Sequence, residues 1–215
     1  KEERFISANL IYDALADLAQ ILHLPPTAIG LRGKLNFAFG HGGQKGVQAH
    51  YNAYDQTLAL AKNAGGGALA HEWFHAFDHH ISEHLFKSKT RFGFASKLWL
   101  SHSPDLSHPL NDALNQFYKQ VFLEQSGEHA NEFVNKCIAF DKAHNQQYMS
   151  MPEELAARCF EACINEHQTI KNSFLVGGLS NNNLIYPELK HTLHANEAIN
   201  HYFQLLGYAL HQLEK

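Results

Sequence analysis

His71, Glu72 and His75 are the residues of this chain best spaced to do chemistry. They stand in the run His71-Glu72-Trp73-Phe74-His75, which reads H-E-x-x-H. On a helix, residues four apart are offset by about 40° and rise about 6 Å, so both imidazoles point the same way from adjacent turns. Two neutral imidazoles in that arrangement can bind one Zn²⁺. A glutamate beside them can hold the metal's water and take its proton. The expected chemistry is metal-assisted hydrolysis, with His71 and His75 as ligands and Glu72 as general base.

The chain holds 17 histidines, so the run carries weight only through its surroundings. Ala64-Gly65-Gly66-Gly67 precedes it as a break, and Ala68-Leu69-Ala70 starts a helical run. Leu69, Trp73, Phe74 and Phe77 supply a face to anchor such a helix in a core while the ligand face stays open to a cleft.

Catalytic zinc usually takes three protein ligands and a water. His79 extends the row, but it lies about 12 Å along a straight helix from His71. Zinc–nitrogen bonds of about 2.0–2.1 Å do not serve both ends of that row. The metzincin pattern is excluded, since Asp78 stands where its glycine would be and Ile81 where its last histidine would be. Asp78, three residues after His75, could hold His75 from behind or could be a surface salt-bridge residue.

A better source is the segment from Ser150 to Ala162. Pro152 suits a first helical turn and Ser150 can cap it. Glu154, Arg158 and Glu161 follow at i, i+4 and i+7 on one face of an otherwise apolar helix. Two readings stay open on spacing alone. One is a solvated Glu–Arg–Glu ladder, worth a few tenths of a kcal/mol per pair. The other puts one glutamate on the metal, with Arg158 and the second glutamate as its support.

These residues need elements to hold them. A helix is expected from Ser7, with Leu10, Ile11, Leu15, Leu18, Ile21 and Leu22 at helical spacing, stopped by Pro25-Pro26. Leu35–Phe39 alternates as a strand, and Gly40-His41-Gly42-Gly43 with Gly46 forms a turn-rich loop. Val47–Tyr51 and Thr57–Ala61 read as a hairpin. The motif helix spans about 67–85, residues 86–108 are ambiguous, and helices follow near 109–125, 129–147, 152–167 and 194–213. A polar loop, Val176–Pro187, separates the last two. The fold class is α+β: a mainly helical domain with a small antiparallel sheet beside the motif helix. At 215 residues the chain is expected to be one domain. Residues 1–30 form an N-terminal helix and linker, 31–85 the sheet and motif helix, and 86–215 a helical part carrying the third ligand.

Composition narrows the partners. A net charge of −4 with no Lys/Arg block argues against nucleic acid. No apolar run approaches the ~20 residues of a membrane span, and the first residues carry no signal-peptide pattern. Cys137, Cys159 and Cys163 read as free thiols, the last two as buried small hydrophobes, in a reducing cytoplasm.

With both segments in view, the chain resembles the H-E-x-x-H plus Glu metallopeptidases, the gluzincin type. More closely, it is similar to the zincin domains of large polyvalent proteins from phages and conjugative elements, and to the bacterial CLCA_X family. The resemblance rests on Gly65 to Asp78, similar to G-x-G-S-L-A-H-E-W-x-H-A-L-D, and on Met151 to Ala162, similar to S-P-x-E-M-F-A-R-A-F-E-A. Ala49-His50-Tyr51 and Phe174-Leu175-Val176 echo weaker elements, so it covers roughly residues 30–190. Ala156 and Cys159 depart from the pattern, at a usual aromatic and a small residue. The resemblance implies a zincin-like fold, one Zn²⁺ per chain on His71, His75 and Glu154, and Glu72 as base; Arg158 and Glu161 are then the support that their shared helix face suggests.

The expected function is zinc-dependent hydrolysis of a peptide or protein substrate through a water activated by the metal. His144, Tyr148, Tyr186 and His191 are the oxyanion-donor candidates by type. Thr57–Ala61, uncharged on both faces, is either a free sheet edge that pairs with an extended substrate or a buried interior strand. The alternative function is a metal-binding regulatory or interaction module, associated with a phage or mobile element, without efficient proteolysis. A helical binding protein with no metal would make the motif an accident.

Overall fold

The computed structural model describes residues 2–39, 49–60, 68–86, 93–102, 107–177, 179 and 184–213, the side chains of 2–5 and 7 excepted. The glycine-rich loop at 40–46, the break at 64–67, Val47 and Ala61 lie outside the described residues. Helix α1 (Glu2–Ile21) buries Ala14, Leu18 and Ile21, and Leu22 just beyond it is buried too. It begins five residues before Ser7, so Ser7 is not its cap. Pro25 ends this region, and Pro26 takes the first position of the single turn α2 (Pro26–Ile29).

The sheet has three strands: β1 (Asn36–Phe39), β2 (Ala49–Asn52) and β3 (Thr57–Leu60), in the order β1-β3-β2. β2 and β3 form the expected antiparallel hairpin, with Tyr51 opposite Leu58. β1 runs parallel to β3, so the sheet is mixed rather than antiparallel throughout. The free-edge reading of Thr57–Ala61 is overturned. β3 lies between two strands, and Leu58, Ala59 and Leu60 are all buried. An uncharged strand, apolar on both faces, is what a position covered on both sides requires.

The motif helix α3 (Leu69–Leu85) packs on α7 (Pro152–Asn165), on the short α4 (Ala95–Trp99) and on β2. α4 falls in the segment that sequence left ambiguous. α5 (Pro109–Phe122), α6 (Glu132–Ala143) and α8 (Leu189–Leu213) complete the helices among the described residues. α8 starts five residues earlier than its apolar spacing suggests. An aromatic cluster holds α3 down. Trp73 stacks on Phe77 at 5.7 Å and also meets Phe160 and Phe203, while Phe74 stacks on Phe160 at 4.7 Å. The indole N–H of Trp73 donates to the Ile29 carbonyl at 2.9 Å, so α2 is tied to the same core. The first turn of α3 is held from outside, by donation from Ala70 N–H to the Leu175 carbonyl at 3.0 Å. All three cysteines are free and buried. No described helix is long and apolar enough to cross a membrane.

Candidate metal centre

α3 and α7 meet with their polar stripes face to face, and that contact builds the site. α3 presents His71 and His75 from adjacent turns, their Nε2 atoms 3.1 Å apart. α7 presents Glu154 from its first turn. One Glu154 oxygen lies 3.4 Å from His71 Nε2 and the other 3.3 Å from His75 Nε2. Ligand atoms of these three residues lie within 4.8 Å of one another, a group that can hold a metal ion. The spacing fits a small tetrahedral ion, since ligands at about 2.0–2.1 Å in that geometry sit about 3.3 Å apart.

The tautomer fits as well. Glu161, two turns along α7, places a carboxylate oxygen 3.3 Å from His71 Nδ1. With a proton held on Nδ1 by Glu161, His71 keeps its Nε2 lone pair facing the site. Tyr186 donates its phenol to the same Glu161 oxygen at 2.8 Å and fixes it in turn. Burial alone would lower the His71 pKa, but hydrogen bonds to Glu154 and Glu161 and the charge of Glu72 raise it to about 10. Burial alone would raise Glu154, yet its contacts with His71 and His75 hold it well below the usual carboxylate range. Without a metal the clustered carboxylates favour the protonated imidazole of His71; a bound metal ion would supply that positive charge in its place.

Glu72 stands beside the group, one residue along from His71. One of its oxygens accepts the Tyr51 backbone N–H at 2.7 Å. Two of the oxyanion candidates come to the site. Tyr186 reaches Glu161. Tyr148, half-exposed, lies near Glu154; burial of its phenol, then the charges of Glu154 and Glu72, raise its pKa. The other two do not come to the site. His144 is bound to the Phe140 carbonyl and stacked on that ring. His191 is bound to the Gln120 carbonyl.

Two expected supports act differently from their sequence reading. Asp78 is fully buried and accepts hydrogen bonds from Ser96 N–H, Ser96 Oγ and Tyr118 Oη. It therefore ties α3 to α4 and α5, neither of the two roles its spacing allowed, and His75 Nδ1 has no hydrogen-bond partner among the described residues. Ser150 does not cap α7, because its hydroxyl and N–H donate to Asp141. Asp141 also takes Met149 N–H and Gln146 Nε2. Burial opposes ionisation there, but these donors lower its pKa to about 2. Nothing in the local sequence signals that Asp141 gathers the loop carrying Tyr148.

Arg158 pairs with neither glutamate side chain. It is buried, and its guanidinium donates to the backbone carbonyls of Met149, Ile185 and Glu154. Met149 follows Tyr148 and Ile185 precedes Tyr186, so one side chain grips both loops that bring tyrosines toward Glu154 and Glu161. The planar fork can hold divergent acceptors where an ammonium cannot. Arg158→Met is expected to cost about 2–4 kcal/mol, because the loop carbonyls of Met149 and Ile185 lose this donor. In a chain of this size that lowers Tm by roughly 5–15 °C. Metal affinity should fall ~10–100-fold, the range for lost support of a ligand. Thermal melts and chelator competition measure both, and Arg158→Lys should not restore either. A melt and affinity unchanged in Arg158→Met would show that the loops are held by other contacts.

Comparison with known proteins gives one family match. A model described as large polyvalent protein-associated domain 1 matches residues 140–210. The match contains Tyr148, Glu154, Arg158, Glu161 and Tyr186, and the motif helix lies outside it. It supports the association with large polyvalent proteins that the sequence resemblance implies. No curated protein and no solved structure matches the chain.

Proposed function

We propose that this domain is a zinc-dependent peptidase with Glu72 as its general base. The observation that carries the reading is the convergence of His71, His75 and Glu154 beside a glutamate held by a sheet edge. A zinc ion bound by those three residues would lower the pKa of a water and polarise a peptide carbonyl. With one oxygen anchored on Tyr51 N–H, Glu72 would use the other to accept the proton of an attacking water and return it to the leaving amine. The Tyr148 phenol, kept protonated by burial and by the neighbouring carboxylates, is the donor for the developing oxyanion. Glu161 and Tyr186 keep His71 in its ligating tautomer. β2 is the edge strand beside α3 among the described residues, so an extended polypeptide would pair along β2.

The test is cleavage of an unstructured peptide library by the zinc-loaded protein. Cleavage is expected to stop on chelation and to return with zinc. A second reading is a metal-binding interaction module of a large polyvalent protein. It is favoured by a family match that takes in the third-ligand helix and omits the motif helix. Stoichiometric zinc with no cleavage across the library would leave that reading standing.

A further inference from the structure

His79 completes the row His71, His75, His79 and yet lies outside the group that can hold a metal. It is buried at 3 % exposure, so a solvated surface role does not account for it. What it touches does. The Tyr51 phenol lies 2.8 Å from His79 Nδ1, and the two rings tilt against each other at 5.9 Å. Phe94 packs against both His75 and His79, at 5.9 and 5.8 Å, and holds the two imidazoles as a layer.

Tyr51 therefore meets α3 twice. Its backbone N–H donates to Glu72, and its side chain ends on His79. Glu72 and His79 are seven residues apart, two helical turns or about 10 Å on one face. A strand residue bound at two points two turns apart fixes both the spacing and the twist between β2 and α3. That spacing decides where the second oxygen of Glu72 sits relative to the ligand group. Without it, a glutamate side chain beside a metal can turn away or become a ligand itself.

We propose that Tyr51, locked by His79, is the positioning residue for Glu72, and that the third histidine of the row serves the base rather than the metal. The role rests on the peptidase reading for its catalytic consequence, but the contact itself does not. Neither Tyr51 nor His79 touches the reacting atoms.

The test has two readouts. In the metal-free protein, hydrogen exchange of the Tyr51 amide followed by NMR reports the bond to Glu72 directly. Slow exchange is expected in the wild type. It should rise at least ~10-fold in Glu72→Ala, and also in Tyr51→Phe (read at residue 51) and His79→Leu, as the local opening becomes easier. In the zinc-loaded protein, Tyr51→Phe and His79→Leu should each lower kcat ~10-fold or more, with KM within ~2-fold and zinc content unchanged. The double variant should be no worse than either single one, since both cut the same link. His79→Asn, whose amide can reach the Nδ1 position, should restore most of kcat. Tyr51→Phe is isosteric and keeps the interpretation open should His79→Leu fail to fold. Equal exchange at Tyr51 in the wild type and Glu72→Ala overturns the clamp whatever the activity. Full kcat in Tyr51→Phe also overturns it, as does an additive double variant. If the native protein cleaves nothing while exchange follows the expected pattern, the peptidase reading fails and the clamp stands.

Discussion

Glu72→Gln is expected to keep its metal and its fold and to lose peptide hydrolysis by about 10²–10⁴-fold, the usual contribution of a general base. Glutamine has the shape of glutamate, and its carbonyl oxygen can still accept the Tyr51 N–H that Glu72 Oε2 accepts at 2.7 Å. The link between α3 and β2 therefore survives, and only the basicity goes. Glu72 is outside the group His71, His75 and Glu154, so metal content should stay at the native level. The loss should fall on kcat with KM nearly unchanged, because the proton transfer belongs to the transition state. The measurement is steady-state cleavage of one peptide beside metal analysis of the same preparations. Retention of more than a tenth of native kcat in Glu72→Gln would remove Glu72 from the role of base.

The other large effect is on the metal itself. About one zinc per chain is expected in the native protein, and His71→Ala, His75→Ala or Glu154→Ala should each leave it substoichiometric after dialysis. Two remaining ligands hold zinc poorly, and a third ligand at the observed 3.3–3.4 Å separations completes the set. Glu161→Ala removes no ligand atom. It frees His71 Nδ1, now 3.3 Å from the Glu161 carboxylate, and leaves the Tyr186 phenol without its acceptor. The expected result is affinity ~10–100-fold weaker with stoichiometry recoverable at high zinc. Competition with a chromophoric chelator separates the two outcomes. Stoichiometric zinc in His71→Ala would undo the site. An empty Glu161→Ala beside a full Glu154→Ala would reverse the roles of the two glutamates.

Local pattern by itself determined the pieces of this protein. The four-residue period in His71 and His75 and the breaks around the motif follow from helix geometry, and the structure has that helix at Leu69–Leu85. The row Glu154, Arg158, Glu161 at i, i+4, i+7 on α7 follows from the same geometry, as does the β2–β3 hairpin from two short strands. Tertiary structure decided which members of each row face which neighbour. On α7, residues of one stripe diverge. Glu154 meets the imidazoles, Glu161 meets the back of His71, and Arg158 turns to backbone carbonyls of loops 9 and 27 residues away in sequence. Asp78 lies three residues from His75 and still binds Ser96 and Tyr118, because α4 and α5 bring donors to it that the helix cannot. The sheet shows the same limit. Apolar strand residues demand cover, but only chain topology placed β1 on the second edge of β3. Tyr51 and Tyr148 carry no periodic signal, and the period of His79 gives its face of α3 but not its partner, since those partners lie on other elements. Periodicity is a property of one segment and reads from its own residues. A hydrogen bond between segments depends on their relative placement, which is set by the packing of the aromatic core beneath them.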